Sequence, residues 1–288
     1  MVWDEGLHRV VLFGGSGSNG SVLNDTWTWD GSSWTKLNLA NPPTTTNLPF
    51  HMVYDPVDGE IIVLLPGSYA GSHFTPPQSC GLYDNDTGWG CTLTDAADPT
   101  VNPTANVSGG GMAYDPLRQQ VIFDSSDQAG AAAALASVTY SFSPDPGTWV
   151  PFAPAHLPPP TSGAAYAWDD GSAQILRFGG STGAAVDTNV LWAWNGADWQ
   201  SFAFANGPAG RTDAAMAYDE ARRQVLMFGG RAGNASFSDT WTIQSPVYTQ
   251  WTQIDTATNP GVESSYRVAF AYDESTQRTV LFGGVNPC

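Results

Sequence analysis

The sequence predicts an all-β chain built from repeated four-stranded antiparallel sheets. Three observations predict it. First, an apolar-aromatic strand, an Asp-led turn and a second apolar strand recur six times, starting at Met1, Met52, Met112, Tyr166, Met216 and Phe270. Second, the copies are separated by an aromatic strand, a tight turn and a strand opening on Trp. Third, no segment carries the 3.6-residue apolar period of a helix. A unit of about 50 residues seen several times is the signature of a stacked or radial array of sheets.

The clearest copies read MVWDEGLHRVVLFGG, MAYDEARRQVLMFGG and FAYDESTQRTVLFGG. In residues 216–230, MAYD is strand A, EARR turns, and QVLMFGG is strand B. Position three is always aromatic: Trp3, Tyr54, Tyr114, Trp168, Tyr218, Tyr272. Position four is always Asp: Asp4, Asp55, Asp115, Asp169, Asp219, Asp273. An Asp side chain accepts a hydrogen bond from the backbone two residues on and so opens a tight turn. Pro56 and Pro116 follow two of them and pre-set φ for such a turn. Turn formation is therefore the predicted role of all six, in preference to a ring of functional carboxylates. Strand B ends on Gly-Gly at 14–15, 179–180, 229–230 and 283–284, where positive φ and close backbone approach permit a sharp exit. Leu65-Pro66 and Ser125-Ser126 depart from this.

Strands C and D follow. NDTWTWDGSSW (24–34) and NVLWAWNGADW (189–199) align throughout, with Trp27 and Trp29 matching Trp192 and Trp194 at the period of two that a strand requires. Asp30-Gly31 and Asn195-Gly196 are hairpin-turn signals. Trp34, Trp89, Trp149, Trp199 and Trp251 open strand D. Four-stranded sheets repeated about six times bury both faces by stacking around an axis, which predicts a β-propeller.

The Gly-Gly after an apolar strand, the aromatic some 12 residues later and the following Trp resemble kelch repeats over nearly the whole chain. The resemblance implies a six-bladed kelch-type propeller as a single domain over 1–288. With six A–B hairpins against five C–D hairpins, the expectation is a last blade lacking its outer strands, in a fragment of a larger chain, in one read from a downstream start, or in a natural chain whose last blade is two-stranded. Kelch propellers include adaptors, surface proteins and a few enzymes, so the resemblance speaks to fold more than to function.

The formal charge is −17, with Lys36 the one lysine. Such a surface repels nucleic acid and anionic lipid. No stretch approaches the ~20 apolar residues of a membrane span. Abundant Ser, Thr, Gly and Pro suit an extracellular or cell-surface β-protein. Cys80 and Cys91 flank one predicted hairpin and are expected to form a disulfide; two buried thiols in a reducing cell are the alternative.

Gly15-x-Gly17-x-x-Gly20 matches the dinucleotide fingerprint, but a Trp-rich strand follows where a helix is required, so a loop is expected. The copper oxidases among kelch-like propellers need two Tyr, two His and a Cys linked to one Tyr. His8, His51, His73 and His156 are spread over three copies, with His8 in an A–B turn, so no cofactor is expected. No zinc spacing and no nucleophile elbow occur.

The expected function is a binding module for a glycan or a protein. The alternatives are a propeller enzyme acting on sugars (a copper radical oxidase relative, an epimerase or a lyase) and a structural module of a surface protein. In a meander, the A–B and C–D turns share one rim, while the longer B–C and D–A connections (67–78, 94–110, 125–136, 255–266) share the other. Function concentrates on such irregular loops. The candidate ligand-binding residues there are His73, Phe74, Arg211, Arg231, Tyr266 and Arg267, since Arg is scarce in this chain and aromatic and Arg side chains dominate recognition surfaces. His51 joins them, because it stands where other copies carry Gly111, Ala165, Ala215 and Ala269.

Overall fold

A computed structural model describes residues 1–17, 19–44, 50–65, 68–70, 73–75, 78–83, 87–93, 110–127, 136–143, 148–182, 187–255 and 267–284. Among them the regular elements are all strands, and the chain divides into two compact units, Met1–Phe152 and Ala153–Cys288.

The first unit holds three four-stranded antiparallel sheets. The first is β1 (Val2–Asp4), β2 (Arg9–Ser16), β3 (Val22–Trp29) and β4 (Trp34–Leu37). In the second repeat, β5 (His51–Asp55) and β6 (Glu60–Leu65) precede a ribbon of β7 (Ser68–Ala70) and β8 (His73–Thr75), then β9 (Gln78–Tyr83) and β10 (Gly90–Leu93). The third sheet is β11 (Gly111–Asp115), β12 (Gln120–Asp127), β13 (Ala136–Ser143) and β14 (Thr148–Pro151). The second unit carries β15 (Ala165–Asp169), β16 (Gln174–Phe178), β17 (Leu191–Trp194) and β18 (Trp199–Phe202) as one sheet. The next has β19 (Ala215–Asp219), β20 (Gln224–Phe228), a ribbon of β21 (Arg231–Ala232) and β22 (Ala235–Ser236), then β23 (Thr240–Gln244) and β24 (Trp251–Ile254). The sixth repeat appears as a two-stranded sheet of β25 (Val268–Asp273) and β26 (Arg278–Gly283). Within each unit the A strands of successive repeats lie side by side: β5 beside β1 and β11, and β19 beside β15 and β25. This is the blade arrangement of a β-propeller.

The Asp at position four builds the A–B turn in every repeat. All six are buried. Asp4 accepts from the Leu7 N–H (2.9 Å), Asp55 from Val57 (2.9 Å), Asp115 from Leu117 and Arg118 (both 3.1 Å), Asp169 from Gly171 (3.1 Å), Asp219 from Arg222 (3.0 Å) and Asp273 from Thr276 (3.1 Å). The residue before strand B is left-handed each time: His8, Gly59, Gln119, Ala173, Arg223 and Gln277 have φ between 50° and 64°. Aromatic hydroxyls tie neighbouring turns. Tyr54 accepts from the Gly6 N–H (3.1 Å) and Tyr272 from Ala221 (3.2 Å). Burial and the Asp55 carboxylate push the Tyr114 phenol above its ordinary range.

The apolar cores lie between sheets. Val11 and Phe13 pack with Tyr54, Val63 and Trp89, while Val53 and Leu64 pack with Met112, Phe123 and Trp149. In the second unit, Leu176 and Phe178 pack with Met216, Met227 and Trp251. The strand-D Trp reaches across to the strand-B Phe of the preceding repeat, with ring centroids 5.0 Å apart for Phe13–Trp89 and 5.3 Å for Phe178–Trp251. Strand B exits on positive φ at Gly179-Gly180 (76° and 97°) and Gly229-Gly230 (67° and 94°). A Cβ on Gly230 would sit 2.9 Å from the Thr212 carbonyl oxygen, so any side chain there strains the exit. Where Ser125-Ser126 replaces Gly-Gly, β12 does not exit. It continues to Asp127, pairing with Val138, Ser137 and Ala136, much as β2 continues through Gly14-Gly15 to Ser16 across a register shift. Gly17 and Gly20 form a tight loop, with the Gly20 N–H on the Gly17 carbonyl (2.8 Å), and β3 follows as expected.

Cys80 and Cys91 stand directly opposite on β9 and β10 with Cα atoms 4.1 Å apart, and they form the disulfide. Such a bridge suits an oxidising compartment.

Two outcomes follow from these elements. Ala173→Gly relieves a left-handed alanine at a modest cost in chain entropy. It should raise the unfolding free energy by roughly 0.5–1 kcal/mol, read as a higher denaturation midpoint at constant slope; an unchanged or lower midpoint would contradict the strain argument. Reduction should add two hydrogens to the intact mass through Cys80 and Cys91, and replacing both with Ser should cost about 2–3 kcal/mol. An unchanged mass would disprove the bridge.

Candidate functional site

In the second unit, the D–A and B–C connections meet at one end of the sheets through backbone bonds. Ser162 and Ser181 exchange N–H···O bonds of 2.9 Å, and so do Thr212 and Arg231. The Gly180 N–H donates to the Arg211 carbonyl (2.8 Å). Three residues before the aligned Tyr166, Met216 and Phe270, the chain is left-handed in all three repeats of this unit: Gly163 (φ 70°), Asp213 (57°) and Arg267 (54°). That conformation turns each peptide toward its neighbour. The Asp213 N–H donates to the Gly163 carbonyl (2.8 Å) and the Arg267 N–H to the Asp213 carbonyl (3.1 Å). A glycine takes this φ freely; Asp does so less often, and a long side chain seldom does.

The three arginines expected at this end have separate tasks. Arg211 is buried, 1% exposed. Its guanidinium donates to Asp239 through both terminal nitrogens (2.5 and 3.0 Å), to the Gly229 carbonyl (2.8 Å) and to the Ala209 carbonyl (3.0 Å), and it lies over the Phe237 ring (4.1 Å). This side chain locks the B–C connection onto the D–A connection. Arg231 and Arg267 converge instead on one carboxylate oxygen. Arg231 Nε donates to Asp213 Oδ2 (2.8 Å), and Arg267 Nε stands 3.6 Å from the same atom. Their side chains are 37% and 55% exposed, while Asp213 is 15% exposed. The cluster is an accessible pair of guanidinium groups held by a half-sheltered carboxylate.

The remaining candidates are not brought to this cluster. His51 opens β5 in the first unit, half-buried, paired with Leu64 and with its ring 5.5 Å from that of Phe123. His73 and Phe74 lie in β8, whose side chains are outside the described residues, as is Tyr266. Among the described residues no three His, Cys, Asp or Glu side chains come together as a metal-binding group. Sequence reasoning missed Asp213, Asp239 and Phe237. The available signal was the alignment of Asp213 with Gly163 and Arg267 ahead of strand A.

An open groove of about 420 Å³ lies in the first unit, along Leu23, Asp25, Lys36, Leu39 and Pro42. Lys36 pairs with Asp25 there (3.1 Å) and lies over Trp27. No family model matches the chain, and no curated protein matches its sequence.

Partial burial raises the Asp239 carboxyl, but hydrogen bonds from Arg211 and Trp241 outweigh it and hold the group below its ordinary range. A depressed folded pKa contributes stability above the unfolded value of about 4, and this is lost as pH falls through the folded value. Asp239→Asn should therefore cost about 3 kcal/mol at pH 7. The gap to the parent should close on acidification below about pH 4. Arg267→Ala should change stability by about 0.5 kcal/mol or less. A gap that persists at low pH would rule out the ion pair as the lock.

Proposed function

We propose that this chain is a kelch-type propeller of six repeats, one domain over 1–288, that acts as an extracellular binding module for a glycan or protein. Its ligand sits on the rim of B–C and D–A connections. The observation that supports this reading is the meeting of Arg231 and Arg267 on Asp213 at that end of the sheets. In the A–B turns the six Asp side chains are buried and accept from their own turns, so those carboxylates are not presented to a ligand. Arg211 and Asp239 support the surface from beneath. The disulfide suits an extracellular setting.

The test is a glycan array and a pull-down with the whole chain, repeated with the Arg231→Ala/Arg267→Ala double variant. That variant should lose more than roughly tenfold in affinity, as expected for central arginine anchors. Leu117→Asp and Val57→Asp, at exposed A–B turn positions, should bind as the parent does. The opposite pattern would place recognition on the other rim.

A further inference from the structure

We propose that Asn234 and Asn19 are acceptors for N-linked oligosaccharide, a covalent modification at the tips of two B–C connections, and that the same triplet at Asn24 is closed to it. This rests on the extracellular reading above, since the triplet is used in secreted chains. Asn-x-Ser/Thr, with x other than Pro, begins at Asn19, Asn24, Asn85, Asn106 and Asn234. Asn85 and Asn106 lie outside the described residues. So short a triplet recurs by chance, and its surroundings decide which copies are usable.

Asn234 stands at the tip of the β21–β22 ribbon. The pairs Arg231 with Ser236 and Ala232 with Ala235 leave Gly233 and Asn234 as the two turn residues. Gly233 takes φ 56°, as the first position of such a turn favours. Gly233, Asn234 and Ala235 are exposed, and Ser236, which completes the triplet, is half-buried. A Cβ built on Gly233 would meet nothing within 4 Å among the described residues. The tip therefore has room for a bulky, hydrated group. Asn19 stands in the loop between β2 and β3, closed by the Gly17 N–H on the Ser21 carbonyl and the Gly20 N–H on the Gly17 carbonyl (both 2.8 Å). Its amide oxygen accepts the Ser21 N–H (3.0 Å), a bond that engages the oxygen and not the nitrogen to be glycosylated. Asn19, Gly20 and Ser21 are all exposed.

Asn24 differs. It lies within β3, half-buried, on the same strand face as Thr26. The hydroxyl of its triplet, Thr26 Oγ1, accepts from Trp89 Nε1 (3.2 Å), and Thr26 is 2% exposed. An oligosaccharide there would leave from a face that closes on the core, so a chain modified at Asn24 does not reach this fold. In the transfer, Asn Nδ2 forms a bond to the anomeric carbon of a polyprenyl-diphosphate-linked oligosaccharide. The bond from that carbon to the phosphate oxygen breaks, the polyprenyl diphosphate leaves with the electron pair, and the amide loses one proton to a base of the transferase. The chain supplies only the acceptor.

The full chain is secreted from eukaryotic cells behind a supplied leader. Its sites are mapped by tandem mass spectrometry before and after peptide N-glycosidase, which leaves Asp where a modified Asn stood. Asn234 and Asn19 should be occupied and Asn24 bare. Asn234→Gln and Ser236→Ala should each abolish occupancy at 234, while Ser236→Thr should retain it, with thermal melts confirming that all three fold. A bare Asn234 or Asn19 in the folded secreted chain, an occupied Asn24, or occupancy that persists in Ser236→Ala overturns the assignment. The same mapping on protein isolated from its own source separates this proposal from the extracellular reading. Bare Asn234 with Cys80 and Cys91 bridged overturns the modification and leaves the extracellular setting standing; bare Asn234 with both thiols free overturns both.

Discussion

The structure depends on one repeated constraint: a carboxylate buried at the A–B turn. Burying an Asp without partners is costly, and each one accepts at least one N–H of its own turn. That fixes the hairpin's length and forces the residue before strand B into the left-handed region. With the turn fixed, the register of strands A and B follows, and with it which side chains face the neighbouring sheet. The strand-A aromatic stands directly before the Asp, so setting the turn also sets its hydroxyl. Tyr54 and Tyr272 use that hydroxyl on the turn of the repeat before. A local turn device becomes a contact between sheets without any further residue.

Packing completes what the turns begin. No sheet here has an apolar face that it can bury alone; each core contains strand-B residues of one repeat and strand-D Trp of another. A fully buried Trp such as Trp149 commits several kcal/mol to that arrangement. The Gly-Gly exit is the complement of this tight packing, since the following connection passes close to the backbone of the loop ahead of strand A. At Ser125-Ser126 the ladder runs on without a shift, and at Gly14-Gly15 it runs on to Ser16 through a register shift, so the glycines loosen the ladder without always ending it.

The strands, the Asp turns, the C–D hairpins and the Cys80–Cys91 bridge were legible because each is written several times or within one hairpin. Repetition turns a weak local preference into a pattern. The ends of β12 and the small ribbons β7–β8 and β21–β22 were not, since they depend on local departures from the repeat. The arginines were legible as rarities, but their tasks were not. Arg211 finds Asp239 28 residues away and Arg231 finds Asp213 18 residues away. Nothing local selects those two among 27 acidic residues. His51 stood out through its contrast with Gly and Ala in other repeats, yet the structure sets it against Phe123 in the other unit from the arginine cluster.

The division between the two kinds of connection has a physical origin. A turn that must satisfy a buried carboxylate keeps one length in all six repeats, while its residues vary from EGLH to PVDG and ESTQ, because the partners it supplies are backbone N–H groups. Among the described residues, the connections at the opposite ends of the strands hold no carboxylate that recurs in every repeat; the buried Arg211 and its partner Asp239 lock a single repeat. The backbone groups of these connections are met by small reciprocal pairs, Ser162 with Ser181 and Thr212 with Arg231, which hold the loops while leaving side chains undetermined. Position 163, 213 and 267 shows the result: one backbone conformation, one circumferential hydrogen-bond pattern, and three different side chains, Gly, Asp and Arg. The scaffold fixes where those side chains stand and leaves their identity to be set by whatever they meet.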